Sequence, residues 1–337
     1  MSAMSYLEAG KLALAQEMRR DTNVWALGED LGRGGVFGQY KGLVEEFGPD
    51  RIVDTPISEA AILGAAVGAA LVGTRPVVEM RFADFALCAI DELVNQAAKA
   101  RYMFGGQGRV PLVVREPSGM WRSSAAQHSQ SLEAWYAHIP GLVVVAPGTP
   151  ADNHALLKAA IRCDDPVVYM EHKDLWAMTG TVDADAPPAP LGIARKIAEG
   201  DDLTIVSWSG ALRAVAAARE LISGVSLDII DLRTIYPWDR EMVFASVRRT
   251  GRLLVVHEAV ATGGFGGEIA ATVAEELFAS LKAPVRRLGA PRVPVPYSPP
   301  LEDVCKIAPQ RIAEIARALV AYRRENKRHH IGEEGHA

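Results

Sequence analysis

The chain has 337 residues, 49% of them hydrophobic, and a formal net charge of −5 at pH 7. This length and apolar content predict two globular domains, and the acidic balance, without a basic stripe, argues against binding to nucleic acid. No apolar run reaches the roughly 18 residues of a membrane-spanning helix, and the N-terminal segment MSAMSYLEAGKLALAQEMRR does not resemble a signal peptide, so we expect a cytoplasmic protein without a membrane partner.

Short apolar runs alternate with helix-like stretches through the first half of the chain. Strands are predicted at VWALGED, RPVVEM, VPLVVREP, GLVVVAP and PVVYMEH, and helices over 59–72, 84–103 and 150–162. The strands are apolar along their whole length, which is required when helices cover both faces of a sheet. This alternation therefore predicts an α/β fold with a parallel sheet.

A break in the alternation predicts a linker near 178–192, where TGTVDADAPPAPLG is rich in Ala, Pro and Asp. Beyond it, strands are expected at DLTIVSW, SLDIIDL, RLLVVHEA and APVRRLG, and helices at 210–222, 240–249, 266–280 and 309–323. These bounds predict a first domain at 1–180, a linker at 181–192, a second domain at 193–326 and a tail at 327–337. The second sheet should also be mainly parallel.

The segment DTPISEAAILGAAVGAALVG contains the strongest candidate for chemistry. Pro56 and Ser58 mark a helix start and place Glu59 in its first turn, where the helix dipole favours a carboxylate. An ordinary first-turn charge would explain Glu59 equally well. However, every residue from Ala60 to Val72 is Ala, Val, Ile, Leu or Gly. The helix should therefore be buried within the protein or at a subunit interface, with Glu59 entering a largely desolvated place.

A polar tetrapeptide, QHSQ, follows the strand VPLVVREP through a glycine-bearing loop. It should lie beyond the C-terminal end of a parallel strand, where open α/β sheets place ligand sites. Its His128 can exchange a proton near neutral pH, although a structural histidine bonded to the backbone is an alternative. Farther along, His257 and Glu258 precede the run GGFGGE, whose spacing favours a tight turn or a subunit contact over an anion site.

Several common catalytic signatures are missing from the sequence. It has no nucleophile elbow, phosphate-binding Lys loop or His-Glu-x-x-His helix, which argues against hydrolases and nucleotide triphosphatases. The cysteines, Cys88, Cys163 and Cys305, are far apart and in no metal-like spacing. We therefore predict neither a disulfide framework nor a zinc site, and expect three reduced thiols.

A family resemblance is carried by GEDLGRGGVFGQYKGLVEEFGPDRIVDTPISEAAILGAAVGAAL, MRFADF, AAQHSQSLEAWYAHIPGLVVVAPGTPAD and DDPVVYMEHK, in this order. Together these segments closely resemble the beta subunits of pyruvate, branched-chain 2-oxo acid and acetoin dehydrogenases. The resemblance implies two three-layer α/β domains with mainly parallel sheets, a thiamine-diphosphate pyrimidine-binding domain followed by a transketolase C-terminal-like domain. It also implies an oxidoreductase.

The resemblance assigns roles to residues of the first domain. Glu59 of the ISE motif would bond the aminopyrimidine ring of thiamine diphosphate and promote the imino tautomer that deprotonates the thiazolium carbon. Phe85 would pack against the pyrimidine ring, and Ile57 and Arg81 would also contact the cofactor. His128 would be catalytic in substrate binding or in acyl transfer to a lipoyl group.

Metal ions and partners are implied by the same resemblance. A potassium ion would be held by the main-chain carbonyls of Leu112, Ala160, Ile161, Cys163 and Asp165. The Gly-Asp-Gly motif through which thiamine enzymes hold magnesium and the diphosphate is absent from this sequence. An alpha subunit is therefore expected to hold that end of the cofactor. The family implies an α2β2 heterotetramer and a lipoyl acyltransferase as a further partner.

The leading prediction is oxidative decarboxylation of a 2-oxo acid, most of all pyruvate, because AAQHSQSLEAWYAHIPGL resembles pyruvate dehydrogenase beta subunits. Acetoin cleavage is the close alternative, since RYMFGG and YMEHK resemble acetoin dehydrogenase beta subunits. Arg81 and the segment Met120-Trp121-Arg122 depart from the family, in which an uncharged residue and a glycine-rich loop are expected, and both bear on the substrate. A non-catalytic scaffold subunit is a third alternative, which the presence of Glu59, Phe85 and His128 disfavours.

Overall fold

Every apolar run predicted as a strand forms one in the computed structural model, which describes residues 1–322. The strands are β1 (Ser2–Ser5), β2 (Val24–Gly28), β3 (Ile52–Asp54), β4 (Arg75–Glu79), β5 (Val113–Ser118), β6 (Val143–Val145), β7 (Val167–His172), β8 (Thr179–Val182), β9 (Arg195–Ala198), β10 (Leu203–Ser207), β11 (Leu227–Asp231), β12 (Thr234–Tyr236), β13 (Leu253–Val260) and β14 (Arg286–Ala290). The tail predicted at 327–337 lies outside the described residues.

The helices cover both faces of the sheets, as the apolar strands require. They are α1 (Tyr6–Arg20), α2 (Leu43–Phe47), α3 (Glu59–Leu71), α4 (Ala83–Ala86), α5 (Ala98–Met103), α6 (Glu133–Ala137), α7 (Pro150–Arg162), α8 (Ala211–Leu221), α9 (Arg240–Thr250), α10 (Gly266–Glu276), α11 (Pro299–Cys305) and α12 (Pro309–Ala321). None of the helices in the described residues is long and apolar enough to cross a membrane.

The part of the chain from β1 to β8, called here the N-terminal unit, contributes six strands to a seven-stranded sheet in the order β12-β6-β7-β5-β4-β2-β3. All neighbours in it are parallel except β12, which pairs antiparallel with β6. The part of the chain from β9 to α12, called here the C-terminal unit, has a five-stranded sheet, β14-β13-β10-β11-β9, in which only the edge strand β9 is antiparallel. Its strand β12 leaves this sheet and pairs with β6, so the C-terminal unit supplies the seventh strand of the other sheet.

Two local expectations differ from the structure. The range 178–192 was predicted as a linker, but its start forms β8, which pairs antiparallel with β1, because the β-branched residues of TGTV outweigh the Pro and Asp that follow. The helix predicted over 84–103 is broken into α4, a 3-10 turn at Leu87–Ala89, a π-helical stretch at Glu92–Ala97 and α5. The domain boundaries at 180 and 193 stay a prediction.

A buried ionic cluster lies inside the core of the N-terminal unit. The guanidinium of Arg115, 1% exposed, contacts the Glu171 carboxylate at 2.6 Å and the Glu79 carboxylate at 3.6 Å. The Tyr40 hydroxyl donates to Glu79 at 3.1 Å, and its ring lies 5.3 Å from the guanidinium carbon. Burial raises the pKa of Glu79 to about 7, although the nearby guanidinium opposes this shift. One cation therefore serves two buried carboxyl groups.

The glycine-rich run after β13 makes room for His257. The buried His257 ring stacks on Trp208, with ring centroids 5.3 Å apart. A Cβ atom at Gly264 would lie 2.6 Å from this ring, and a Cβ atom at Gly266 would lie 2.7 Å from it. The glycines thus allow a close approach of backbone to a buried ring, which agrees with the predicted tight turn.

Acid should destabilise the protein through His257. Burial lowers the pKa of His257 from 6.5 to about 4, so below pH 6.5 the unfolded chain binds a proton that the folded chain does not. Stability is therefore lost as pH falls from 6.5 to 4, by about 3 kcal/mol in all. Between pH 7 and pH 4.5 the free energy of unfolding, measured with denaturant, should fall by about 2 kcal/mol less in His257→Asn than in the wild type. The exposed control His138→Asn should keep the wild-type loss; equal losses in all three proteins would contradict the assignment.

Candidate active site

Three predicted site residues follow strands that end at one edge of the seven-stranded sheet. Glu59 follows β3, Phe85 follows β4 and His128 follows β5. These strands are parallel and lie within four neighbouring positions of the sheet, β5-β4-β2-β3. Open parallel sheets bind ligands beyond the carboxyl ends of their strands, so the sheet places all three residues where a ligand is expected.

Glu59 is the first residue of α3, as predicted, and Ser58 occupies the N-cap position without a side-chain hydrogen bond. The Glu59 side chain is half-buried, and within residues 1–322 its carboxylate makes no hydrogen bond or ion pair. Ile57, two residues earlier, is 75% exposed. A half-buried carboxylate at a helix N-terminus therefore lies beside an exposed apolar side chain.

The helix that follows Glu59 is not buried on all sides within this chain. Its inner face, including Ile62, Leu63 and Ala66, packs in the core, whereas Leu71 and Val72 are 41% and 82% exposed. Burial of the whole helix within the single chain is thus excluded, and the other expected arrangement, a subunit interface, remains. An apolar face of this kind would be stabilised by a partner that removes it from water.

Phe85 and His128 are brought together in an aromatic cluster. Their ring centroids are 5.1 Å apart, and Phe82 completes the cluster at 4.8 Å from His128 and 5.2 Å from Phe85. All rings meet edge to face, an arrangement that aromatic pairs favour. Phe82 was missed in the sequence, although the same MRFADF segment contains it. Edge-to-face packing fixes the position of the His128 imidazole beside Phe85.

Lys173 was not predicted from the sequence, but it contacts the backbone of His128. Its side chain is 1% exposed, donates a hydrogen bond from Nζ to the His128 carbonyl, and has its ammonium 4.7 Å from the Phe82 ring centroid. Burial lowers the pKa of Lys173 to about 8, although Asp84 nearby opposes the shift. Lys173 follows β7, which pairs with β5 in the sheet. The two residues are distant in the sequence, and the pairing of these strands brings them together.

Arg81 is engaged by carboxylates that follow β2. Its Nη1 lies 3.0 Å from Glu29 Oε2 and 3.3 Å from Asp30 Oδ2, and its backbone φ is 46°. Glu29 is buried, whereas the Arg81 side chain is 26% exposed, so the pair links a buried carboxylate to a partly exposed guanidinium. The predicted contact of Arg81 with the cofactor stays a prediction, and the ion pair accounts for a charged residue at this position.

The carbonyls predicted to hold potassium lie at the end of α7 and before β5 and β7; they belong to Leu112, Ala160, Ile161, Cys163 and Asp165. Arg75 Nη1 donates to the Ile161 and Cys163 carbonyls at 3.1 and 3.0 Å. The Leu112 and Ala160 carbonyls accept backbone N–H groups at 2.8 and 3.1 Å. Each oxygen keeps a second lone pair, but a guanidinium already supplies positive charge there. Potassium binding stays a prediction.

The arrangement fits one half of a heteroaromatic cofactor. A carboxylate without a partner can accept from a protonated ring nitrogen, and the Phe85 ring and the exposed Ile57 side chain, which follow strands that end at the same edge of the sheet, offer apolar contacts to a flat ring. In the described part of the chain, no group of three or more His, Cys, Asp or Glu side chains could hold a metal ion. Within residues 1–322 the three cysteines form no disulfide.

Comparison with known families assigns this arrangement to a class. The family "Transketolase, pyrimidine binding domain" matches residues 2–178, and "Transketolase, C-terminal domain" matches residues 192–312. In structure the chain is similar to "Split gene transketolase, inactive beta4 tetramer", with a TM-score of 0.79, 22% identity, and coverage of 96% of this chain and 100% of that one. That likeness shows the fold alone. The two families define a transketolase-like α/β protein.

Curated relatives narrow the class. The chain is 42% identical to 2-oxoisovalerate dehydrogenase subunit beta of Bacillus subtilis, over 96% of this chain and 100% of the relative. It is 44% identical to acetoin:2,6-dichlorophenolindophenol oxidoreductase subunit beta of Cupriavidus necator (90% and 94%) and to pyruvate dehydrogenase E1 component subunit beta of Rhizobium meliloti (95% and 70%). The chain therefore belongs to the family of beta subunits of the 2-oxo acid and acetoin dehydrogenases.

The family, the fold class and the oxidoreductase beta-subunit role predicted from the sequence are confirmed. Membership implies thiamine diphosphate as the cofactor and an alpha subunit as a partner.

Proposed function

We propose that this chain, paired with an alpha subunit in an α2β2 heterotetramer, oxidatively decarboxylates pyruvate and transfers the acyl group to the lipoyl domain of an acyltransferase. The observation that carries the proposal is the position of Glu59, Phe85 and His128 beyond neighbouring parallel strands, with no partner for the Glu59 carboxylate within residues 1–322. A cytoplasmic location is part of the same proposal, supported by three free cysteines.

In this mechanism thiamine diphosphate supplies, when bound, the carbon nucleophile and the electron sink that cleavage beside a carbonyl needs. Glu59 accepts a hydrogen bond from a pyrimidine nitrogen and holds or moves the proton there. Phe85 and Ile57 hold the ring by apolar contact. His128, fixed by Phe82, Phe85 and Lys173, donates a proton to, or accepts one from, the substrate or the lipoyl group.

The alpha subunit completes the site. It holds magnesium and the diphosphate, because this chain lacks the Gly-Asp-Gly motif. The outer face of α3, with Leu71 and Val72 exposed at its C-terminal end, is a suitable surface for this contact, since its burial would remove apolar area from water along the helix that Glu59 begins. Potassium at the carbonyls near Arg75 belongs to the same proposal, as a structural ion beside the guanidinium.

Fewer observations support a particular substrate than support the type of reaction. The segment AAQHSQSLEAWYAHIPGL supports pyruvate, and the likeness to an acetoin oxidoreductase beta subunit favours acetoin as the second candidate. The ion pair of Arg81 with Glu29 and Asp30 adds charge near the site. Trp121 lies where a glycine-rich loop is usual in the family, and its ring centroid is 5.7 Å from that of Phe37. Both departures bear on substrate size and charge.

A substrate panel tests the proposal. The chain co-expressed with its alpha subunit should reduce an artificial electron acceptor with pyruvate, in the presence of thiamine diphosphate and magnesium, faster than with branched 2-oxo acids or acetoin. If acetoin or a branched 2-oxo acid is turned over fastest, that compound replaces pyruvate as the proposed substrate. If none of these compounds is turned over while the assembly forms, the scaffold alternative would be favoured.

A further inference from the structure

We propose that Glu302 and Glu258 are positioning residues, which hold the loop at 119–131 so that His128 faces Phe82 and Phe85. Both carboxylates belong to the C-terminal unit, Glu302 on α11 and Glu258 on β13, whereas the loop belongs to the N-terminal unit. The second unit thereby sets the position of a residue in the site of the first. The inference rests on the proposed role of His128.

The backbone of this loop adopts a conformation that needs support. Arg122, Ser123 and Ala125 have φ values of 47°, 59° and 62°, in the left-handed region that L-residues rarely adopt. Such residues persist only where surrounding contacts determine the conformation. Within the loop, the N–H groups of Gly119, Ser124 and His128 donate to the carbonyls of Gln130, Trp121 and Ala125 at 3.2, 3.1 and 3.5 Å. The bond from Ser124 to Trp121 spans Arg122 and Ser123, but the Ser123 N–H itself has its acceptor outside the loop. The strained segment is therefore completed by contacts from outside the loop.

Two of these contacts come from the C-terminal unit. Oε2 of Glu302 accepts the Ser123 N–H at 2.6 Å, in the middle of the strained segment. Oε1 of Glu258 accepts the Met120 N–H at 2.6 Å, at the beginning of the loop. Hydrogen bonds from backbone N–H groups to a carboxylate are stronger than those between neutral groups. At the far end of the loop, Lys173 donates to the His128 carbonyl.

Each carboxylate is itself held in place. Glu302 is 1% exposed, and its other oxygen lies 2.9 Å from the Lys306 ammonium. Glu258 pairs with His172 Nε2 at 2.8 Å, and His172 Nδ1 accepts the Asp174 N–H. The proton on His172 is therefore directed at Glu258. Carboxylates with such fixed geometry can position a loop, unlike mobile surface charges.

The consequence concerns His128 and not the folding of either unit. Without the bond from Ser123 to Glu302, the strained segment should relax and displace His128 from Phe82 and Phe85. A displacement of about 1 Å at a reacting group can cost about 100-fold in rate. We expect acylation of a lipoyl domain, one of the two steps proposed for His128, to be slowed, and any role of His128 in substrate binding to slow pyruvate decarboxylation with an artificial acceptor as well.

Limited trypsin digestion of the αβ holoenzyme tests the contact without reference to turnover. Trypsin cleaves after Arg122, and the next residue donates the bond to Glu302, so Glu302→Ala should release the fragment 1–122 at least about tenfold faster, as mass spectrometry would show. Glu302→Gln keeps an oxygen acceptor and should restore most of the wild-type resistance and lipoyl acylation. The control Val304→Ala, at a position on α11 that is 71% exposed, should behave as wild type.

Unchanged cleavage and acylation in Glu302→Ala would overturn the proposal, as would equal losses in the Ala and Gln variants. If Glu302→Ala does not fold, Glu302→Asp withdraws the carboxylate from Ser123 while keeping its charge. Faster cleavage after Arg122 then supports the proposal, and unchanged cleavage overturns it. Should the wild-type holoenzyme turn over none of the panel substrates, the proposed function would fail, while the comparison of cleavage rates would still decide this inference.

Discussion

Replacing Glu59 by alanine is expected to lower kcat of the holoenzyme by about 100- to 10,000-fold, the usual contribution of a general acid or base. Glu59 begins α3 and its carboxylate has no partner within residues 1–322, so its removal leaves no protein group unpaired. The assembly and its thermal stability should therefore stay near wild type. Steady-state rates with pyruvate and an artificial acceptor, together with size-exclusion chromatography, check both parts.

A matched variant separates catalysis from helix electrostatics. Glu45 lies exposed in the first turn of α2, far along the sequence from the candidate site. Glu45→Ala removes the same type of charge from the same type of helix position and should leave kcat within about twofold of wild type, since surface substitutions rarely matter. Unchanged turnover in Glu59→Ala would remove Glu59 from the mechanism.

The largest loss of stability is expected for Arg115→Met. This change leaves the Glu171 and Glu79 carboxyl groups, 2% exposed each, without the cation that both contact. Breaking a buried ion pair by removing one partner costs about 3–5 kcal/mol in the free energy of unfolding. Removing Glu171 as well, in Arg115→Met/Glu171→Leu, should restore part of that loss, because one buried carboxylate is then removed with its partner.

An exposed pair gives the control for this second prediction. Arg311 and Glu314 are 52% and 66% exposed and pair at 2.6 Å on α12. Arg311→Met should change the free energy of unfolding by less than about 1 kcal/mol. Denaturant unfolding measures all of these variants. A loss below about 1 kcal/mol in Arg115→Met would show that the buried cluster does not depend on its cation.

The regular parts of the fold were predicted because their signal is local. Apolar runs such as LTIVSW gave β10, and the capped segment from Pro150 gave α7 with the predicted bounds. The antiparallel strands β8, β9 and β12 were missed, since short segments at sheet edges have little pattern of their own. Helix α1 was also missed, although Ser5 and Glu8 form a capping box at its start.

The candidate site divides in the same way. Glu59, Phe85 and His128 were found because each lies in a segment with a family resemblance. Lys173 and Glu302 were not, because their role depends on contacts between residues distant in the chain: Lys173 reaches His128 across neighbouring strands, and Glu302 reaches Ser123 from the other unit. Sequence spacing alone cannot relate such residues.

Binding of thiamine diphosphate tests the central claim, that this chain supplies only half of an active site, most directly. Calorimetric titration with magnesium present should show tight binding to the mixture of this chain and its alpha subunit, and at most weak binding to this chain alone. Glu59→Ala in the mixture should weaken binding of the cofactor. Tight, magnesium-dependent binding by this chain alone would contradict the claim.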